Sequence, residues 1–241
     1  MRPYPPRPTG WDDADTLPEV ETTAEAGPLE KPLLRGWTHA VSFPLMLVAG
    51  AALLLLVHAR FPDRLLLAVY VLGTATMFGV SAMYHRGRWT PPVKLRMQKL
   101  DRTAIFLAIA GGYTPIAVLC LDGWTLAAVL LGVWLGAATG MAMQWIPRVP
   151  RAWRGASYIV VSWIAVFTLP DLWNGLGVTG FLLVFAGGVC YTIGAVALAT
   201  RWPDPWPRVF GFHEVFHAFT VVAAALQFTA IAMFVAPGLS A

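Results

Sequence analysis

His213 and His217 stand four residues apart, so on a helix both imidazoles project from one face, about 6 Å apart along the axis. That spacing can chelate one metal ion. His85 can supply a third nitrogen, which leaves the fourth position of a tetrahedral Zn²⁺ for water. A metal in that position lowers the pKa of the water toward neutrality and produces a nucleophile. Ser81 lies one helical turn before His85 and faces the same way, and Asp101 can hold the water or orient a histidine from behind. For His85 alone, a histidine snorkelling to the membrane interface is the simpler reading. For the His213/His217 pair together with His85 and Asp101, the metal is the better one.

These residues work together only if the elements carrying them bring them to one place. The chain has 241 residues, 57% of them hydrophobic and only 12% charged, against about 25% charged in a soluble domain. Intrinsic disorder as the main state is excluded, because it requires low hydrophobicity and high charge. A nucleic-acid binder gathers Lys and Arg on a solvated face, whereas here they fall in short clusters between long apolar runs. A membrane-crossing helix needs about 20 mostly apolar residues. Seven runs qualify: approximately 38–58, 65–85, 102–121, 123–145, 153–169, 176–199 and 212–236. The fifth is short and closed by Pro170 and Asp171. The first begins too far into the chain, and is too long, for the apolar core of a cleaved signal peptide. The fold expected is an all-α, seven-transmembrane helix bundle.

Orientation follows from the rule that positive loops stay cytoplasmic. With seven spans, fifteen of the 17 Lys and Arg residues fall on the face that carries the N-terminus. Only Arg60 and Arg64 fall on the other. The N-terminus is therefore expected in the cytoplasm and the C-terminus outside, in the inner cell membrane. His39, His85, Asp101, His213 and His217 then all lie at cytoplasmic helix ends. Residues distant in sequence share one membrane depth, as a metal site requires. Residues 1–30 carry seven acids and two arginines and read as a disordered, acidic, Pro-rich tail, ahead of a membrane domain over 31–241.

Several functions fall away on the same evidence. A retinal pigment needs a buried lysine for its Schiff base, and Lys31, Lys94 and Lys99 all lie outside the spans. Cys120 and Cys190 sit at different depths and read as small core residues rather than a disulfide. No internal repeat supports an inverted-repeat transporter, and no span shows the polar face of a pore. His213-Glu214-Val215-Phe216-His217 does spell the metalloprotease pattern H-E-x-x-H. Enzymes resembling the site-2 protease family draw a third ligand from a Leu-Asp-Gly segment, and Leu121-Asp122-Gly123 is present. Asp122, however, is expected a full bilayer away from His213. Glu214 reads as a helix-start carboxylate favoured by the dipole.

The motifs together resemble the hemolysin III family, bacterial relatives of the progestin and adipoQ receptors. The matching segments are Trp37-Thr38-His39, Ser81-Ala82-Met83-Tyr84-His85, Leu100-Asp101, Ile109-Ala110-Gly111-Gly112-Tyr113-Thr114-Pro115 and Gly211-Phe212-His213-Glu214-Val215-Phe216-His217. The resemblance implies a seven-span, N-inside fold with Zn²⁺ bound by His85, His213 and His217, and with Asp101 and Ser81 beside the water. Some relatives and the similar alkaline ceramidases hydrolyse lipid amides, and the bacterial members are linked by name to haemolysis. This chain departs from the pattern at Arg102, where the family usually has His, and at Gly112, often Thr. It departs again before Thr38-His39, where the family's Glu and Asn are not matched in register and Arg35 precedes His39 by four.

The function expected is a zinc-dependent hydrolase of a lipid amide or ester, serving membrane lipid homeostasis. Asp101 acts as base or water-orienter and Ser81 helps stabilise the oxyanion. Membrane lipids are the expected partners, with an acyl chain or fatty acid entering the bundle where Gly111, Gly112, Gly187 and Gly188 leave room. A competing reading is a receptor-like or regulatory protein in which zinc clamps the helices through a fourth protein ligand, His39. A haemolysin or pore is the least supported.

Overall fold

The computed structural model describes residues 31–239. The tail expected over 1–30 lies outside the described residues. Among the described residues the structure is helical, with a single isolated bridge between Trp206 and Phe210. The main helices are α1 (Trp37–Leu56), α2 (Phe61–Arg86), α3 (Pro91–Cys120), α4 (Gly123–Trp145), α5 (Arg151–Ser162), α6 (Leu169–Thr200) and α7 (Phe212–Ala230). A π-helical turn, Ile231–Val235, joins α7 to the short α8 (Ala236–Leu239).

Among the described residues, six helical segments are long and apolar enough to cross a membrane: α1 to α4, Arg151–Thr200 and Phe212–Leu239. Seven apolar runs were expected, and the difference lies in the 50-residue segment Arg151–Thr200, which contains the fifth and sixth. Were it straight, Trp163 and Thr192 would be about 43 Å apart. Instead Trp163 Nε1 donates to Thr192 Oγ1 at 3.2 Å, so the segment doubles back. The reversal falls at Gly177, with φ 63° and ψ 178°, a backbone conformation essentially confined to glycine. A softer break separates α5 from α6, where Ile164–Thr168 tightens into a 3₁₀ turn. Tyr113 of α3 braces that break. Its hydroxyl donates to the Ser162 carbonyl at 2.6 Å and accepts from the Ala165 amide at 3.4 Å.

Pro170 does not close the fifth run as expected. It lies in the first turn of α6, where a missing N–H is no loss. α3 likewise begins at Pro91 rather than near residue 102. Pro91 and Pro92 suit a helix start, and the basic turns after them are helical without being apolar, which a hydropathy reading misses.

α2 packs chiefly on α3, α6 on α7, and α1 and α4 flank the first pair. Leu67, Tyr70, Phe106, Val133 and Ile231 are fully enclosed in the core. Leu55, Leu56, Trp124, Phe167 and Met233 are exposed, the outward-facing apolar surface that lipid tolerates and water does not. Small residues let the backbones approach. A Cβ added at Gly73 would lie 2.6 Å from the Leu107 carbonyl oxygen, and one at Gly111 would lie 2.8 Å from that of Val69. Gly112 abuts the Gln227 side chain, and a Cβ at Gly187 would lie 3.3 Å from the Ala223 oxygen. Of the glycines expected to leave room for an acyl chain, Gly111, Gly112 and Gly187 thus serve close packing. Only Gly188 of the four faces open space.

Candidate metal centre

The last turns of α2 and the first turns of α7 meet at one end of the bundle. The capping box that starts α7 uses the buried Glu214, whose carboxylate accepts from the Gly211 amide at 2.9 Å. Phe212, the first residue of α7, donates its amide to Asp204 Oδ1 at 3.0 Å. With its first amides fixed, α7 presents His213 and His217 on one face toward His85. One nitrogen from each of His85, His213 and His217 lies within 4.8 Å of the others. His85 Nε2 and His213 Nε2 are 3.2 Å apart, against about 3.3 Å for two ligands at 2.0–2.1 Å on a tetrahedral zinc.

The donor set fits a cation. His85 Nε2 and His213 Nε2 face each other at the separation of two ligands on one ion, and the nearest carboxylate oxygen, Asp101 Oδ2, is 3.8 Å from His85 Nε2. A shared cation would bridge the two nitrogens. Asp101 comes from α3. Its Oδ2 lies 3.8 Å from His85 Nε2, too long for a hydrogen bond, while its carboxylate is the hydrogen-bond partner of the Ser81 hydroxyl. Ser81 is buried one turn below His85. A carboxylate, hydrogen-bonded to a serine hydroxyl, therefore sits beside His85.

His39, the candidate fourth ligand, is buried at the same end but lies flat on His217, with ring centroids 3.9 Å apart and planes 9° from parallel. A metal lies close to the plane of each imidazole that binds it. Two stacked, parallel rings cannot both point their lone pairs at one ion, so His39 supports His217 and is not placed to complete the sphere.

The residues before α1 form a strap over the centre. Leu33 and Leu34 donate their amides to the Arg208 and Val209 carbonyls at 3.0 and 3.1 Å. Arg35 forms an ion pair with Glu214. Gly36, with φ +76°, is so close that an added Cβ would lie 2.6 Å from His85 Cβ, and Arg86 covers the Trp37 ring at 3.8 Å. Sequence reasoning noted Arg35 only as a departure in register. The signal that could have found it was a cation just ahead of a glycine and an apolar run. Asp122 immediately precedes α4 at the far end of α3, 21 residues or about 30 Å from Asp101, so no H-E-x-x-H protease site assembles. Glu214, held by Arg35 and Gly211, is structural. Both cysteines are free thiols.

The bundle and its buried histidine cluster define an integral, multi-pass helical membrane protein with a potential metal centre. Residues 28–228 match the family profile described as Haemolysin-III related, and the chain belongs to that family. It is 27% identical over 209 residues to Hemolysin-3 of Bacillus cereus, covering 83% of this chain and 90% of that one. It is 28% identical over 134 residues to the Hemolysin-3 homolog of Bacillus subtilis (strain 168), covering 55% of this chain and 60% of that protein.

Proposed function

We propose that this protein is a Zn²⁺-dependent hydrolase of the inner cell membrane that cleaves a lipid amide or ester from the cytoplasmic side and serves lipid homeostasis. The observation that carries this reading is the convergence of three histidine nitrogens beside the Asp101–Ser81 pair. His85, His213 and His217 would hold the ion, which supplies Lewis-acid activation of water and of the scissile carbonyl. Asp101 accepts the proton of the attacking water. Once protonated it no longer draws on the Ser81 hydroxyl, which is then free to donate to the oxygen that gains charge. The carbonyl–nitrogen or carbonyl–oxygen bond breaks, the leaving group takes the proton, and a fatty acid and an amine or alcohol remain. The stacked geometry of His39 favours a three-histidine site over a closed structural clamp.

The proposal includes seven crossings with the N-terminus in the cytoplasm. The doubling back of Arg151–Thr200 at Gly177 supports two crossings there, and the fifteen-to-two division of Lys and Arg supports the orientation. Labelling of single cysteines placed at Arg60 and at Arg88 from outside intact cells tests it: only the first should react.

The activity test has two readouts. Purified protein should contain zinc, and His213→Ala and His217→Ala should each lose it; full retention in both would sink the site. Asp101→Asn should keep the metal and lose roughly 10²–10⁴ in rate on a panel of lipid amides and esters. Zinc-loaded protein that releases no fatty acid from any of them would overturn the hydrolase reading.

A further inference from the structure

A second cluster, separate from the histidines, is basic. It gathers three pieces of chain at the same end of the molecule: the strap at Lys31, the end of α2 at Arg86 and Arg88, and the first turns of α3 at Lys94 and Arg96. All five of these side chains are exposed. Between Arg64 and Asp101 the chain contains no acidic residue. The nearby acids of the described residues are committed elsewhere. Glu214 serves Arg35 and Gly211, Asp204 caps α7, and Asp101 faces Ser81 and His85.

Like charges do not gather without cost. The pKa of Lys31 is held below its usual value by partial burial and then by the neighbouring charges of Lys94 and Arg35. The positive-inside rule explains the sign of these residues. It does not explain why the strap packs on the end of α2, with Gly36 against His85 and Trp37 under Arg86, and so adds Lys31 to the cations gathered there. Exposed apolar groups, Leu33, Trp89 and Val93, are interleaved with the cations. That mixture suits the membrane interface, where cations meet headgroups and apolar groups meet the acyl boundary.

We propose that this rim is a binding site for anionic phospholipid, with the headgroup phosphate held between Lys31 and Lys94 and flanked by Arg86, Arg88 and Arg96. The site stands whether or not the histidine centre is catalytic.

The test uses the full chain in an uncharged detergent. Retained lipid is counted by native mass spectrometry during titration with phosphatidylglycerol or with phosphatidylcholine of the same acyl chains. Phosphatidylglycerol should bind more tightly. The double variant Lys31→Gln/Lys94→Gln should weaken it by roughly fivefold per cation removed, and Lys31→Arg/Lys94→Arg should restore it. Arg60→Gln/Arg64→Gln, which removes two cations of the opposite end, should leave the preference intact. Equal binding of the two lipids would overturn the proposal, as would an equal loss in the opposite-end variant. Displacement of phosphatidylglycerol by millimolar inorganic phosphate would assign the rim to free phosphate instead, and also overturns it. Unchanged thermal midpoints in all variants show that binding, not folding, was altered.

Discussion

Gly36→Ala should damage the centre without replacing a ligand. Two penalties add at this position. The backbone is left-handed, φ +76°, which costs a non-glycine residue about 1–2 kcal/mol. The new methyl would also lie 2.6 Å from His85 Cβ and 3.3 Å from Arg86 Cγ, so strap or α2 must move by about 1 Å, an overpacking cost of roughly 1–3 kcal/mol. Gly123→Ala is the internal control: φ is +46° there, but nothing lies within 4 Å of the added Cβ. It bears the backbone cost alone. The difference between the two variants, roughly 1–3 kcal/mol, corresponds to several degrees of thermal midpoint in a chain of this size. Both variants should be measured in the same detergent by thermal unfolding and by the rate at which a chelator removes zinc. Gly36→Ala should unfold earlier and release metal faster, because displacing His85 opens a ligand set whose two closest nitrogens are 3.2 Å apart. Equal midpoints and equal release rates in the two variants would refute the close approach of strap and ligand.

Three further outcomes follow from particular contacts. His39→Phe preserves the ring stacked on His217 and should retain a full equivalent of zinc; loss of the metal would make His39 a ligand. Tyr113→Phe leaves the Ser162 carbonyl and Ala165 amide without their shared partner, at a cost of about 1–3 kcal/mol, read as a lower thermal midpoint. Arg35→Ala and Glu214→Gln should be non-additive, with a coupling of about 1 kcal/mol because Arg35 is partly exposed; strict additivity of the midpoints would mean that the pair contributes nothing.

The membrane class and the meeting of His85, Asp101, His213 and His217 were legible because both depend on one-dimensional signals. Apolar runs mark helices, and the division of Lys and Arg assigns their ends to sides. The reversal inside Arg151–Thr200 was harder to place. Pro170 looked like the stop, but proline at a helix start is harmless, and the residue that turns the chain is Gly177, one of 22 glycines. Its ψ is a property of the fold, not of the letter. The orientation of His39 was equally hidden. Sequence puts it at the right depth, whereas the choice between ligand and stacking partner depends on a ring rotation set by Phe78 and His217 around it. The strap was invisible for a related reason: its contacts with residues 208–214 span more than 170 positions.

The charges around the centre also bear on the products of the proposed hydrolysis. Metal-binding imidazoles are neutral, so three of them around a divalent ion would leave its charge to the carboxylates nearby. Glu214 is already matched by Arg35, and among the described residues Asp101 is the carboxylate that faces the cluster. A positive excess would therefore remain at the site, and the strap that carries Lys31 and Arg35 lies over it. Such a site should hold an anion better than a cation of the same apolar size. Hydrolysis of a lipid amide gives one of each, a fatty carboxylate and an ammonium. Product inhibition should accordingly be lopsided: the fatty acid should inhibit turnover competitively, and the matching amine should inhibit several-fold less. Raising the salt concentration should not level the two, since screening acts weakly on charges buried below the surface. Equal inhibition by both products would mean that Asp101 does not stand alone against the ion, and that another carboxylate reaches the cluster in solution.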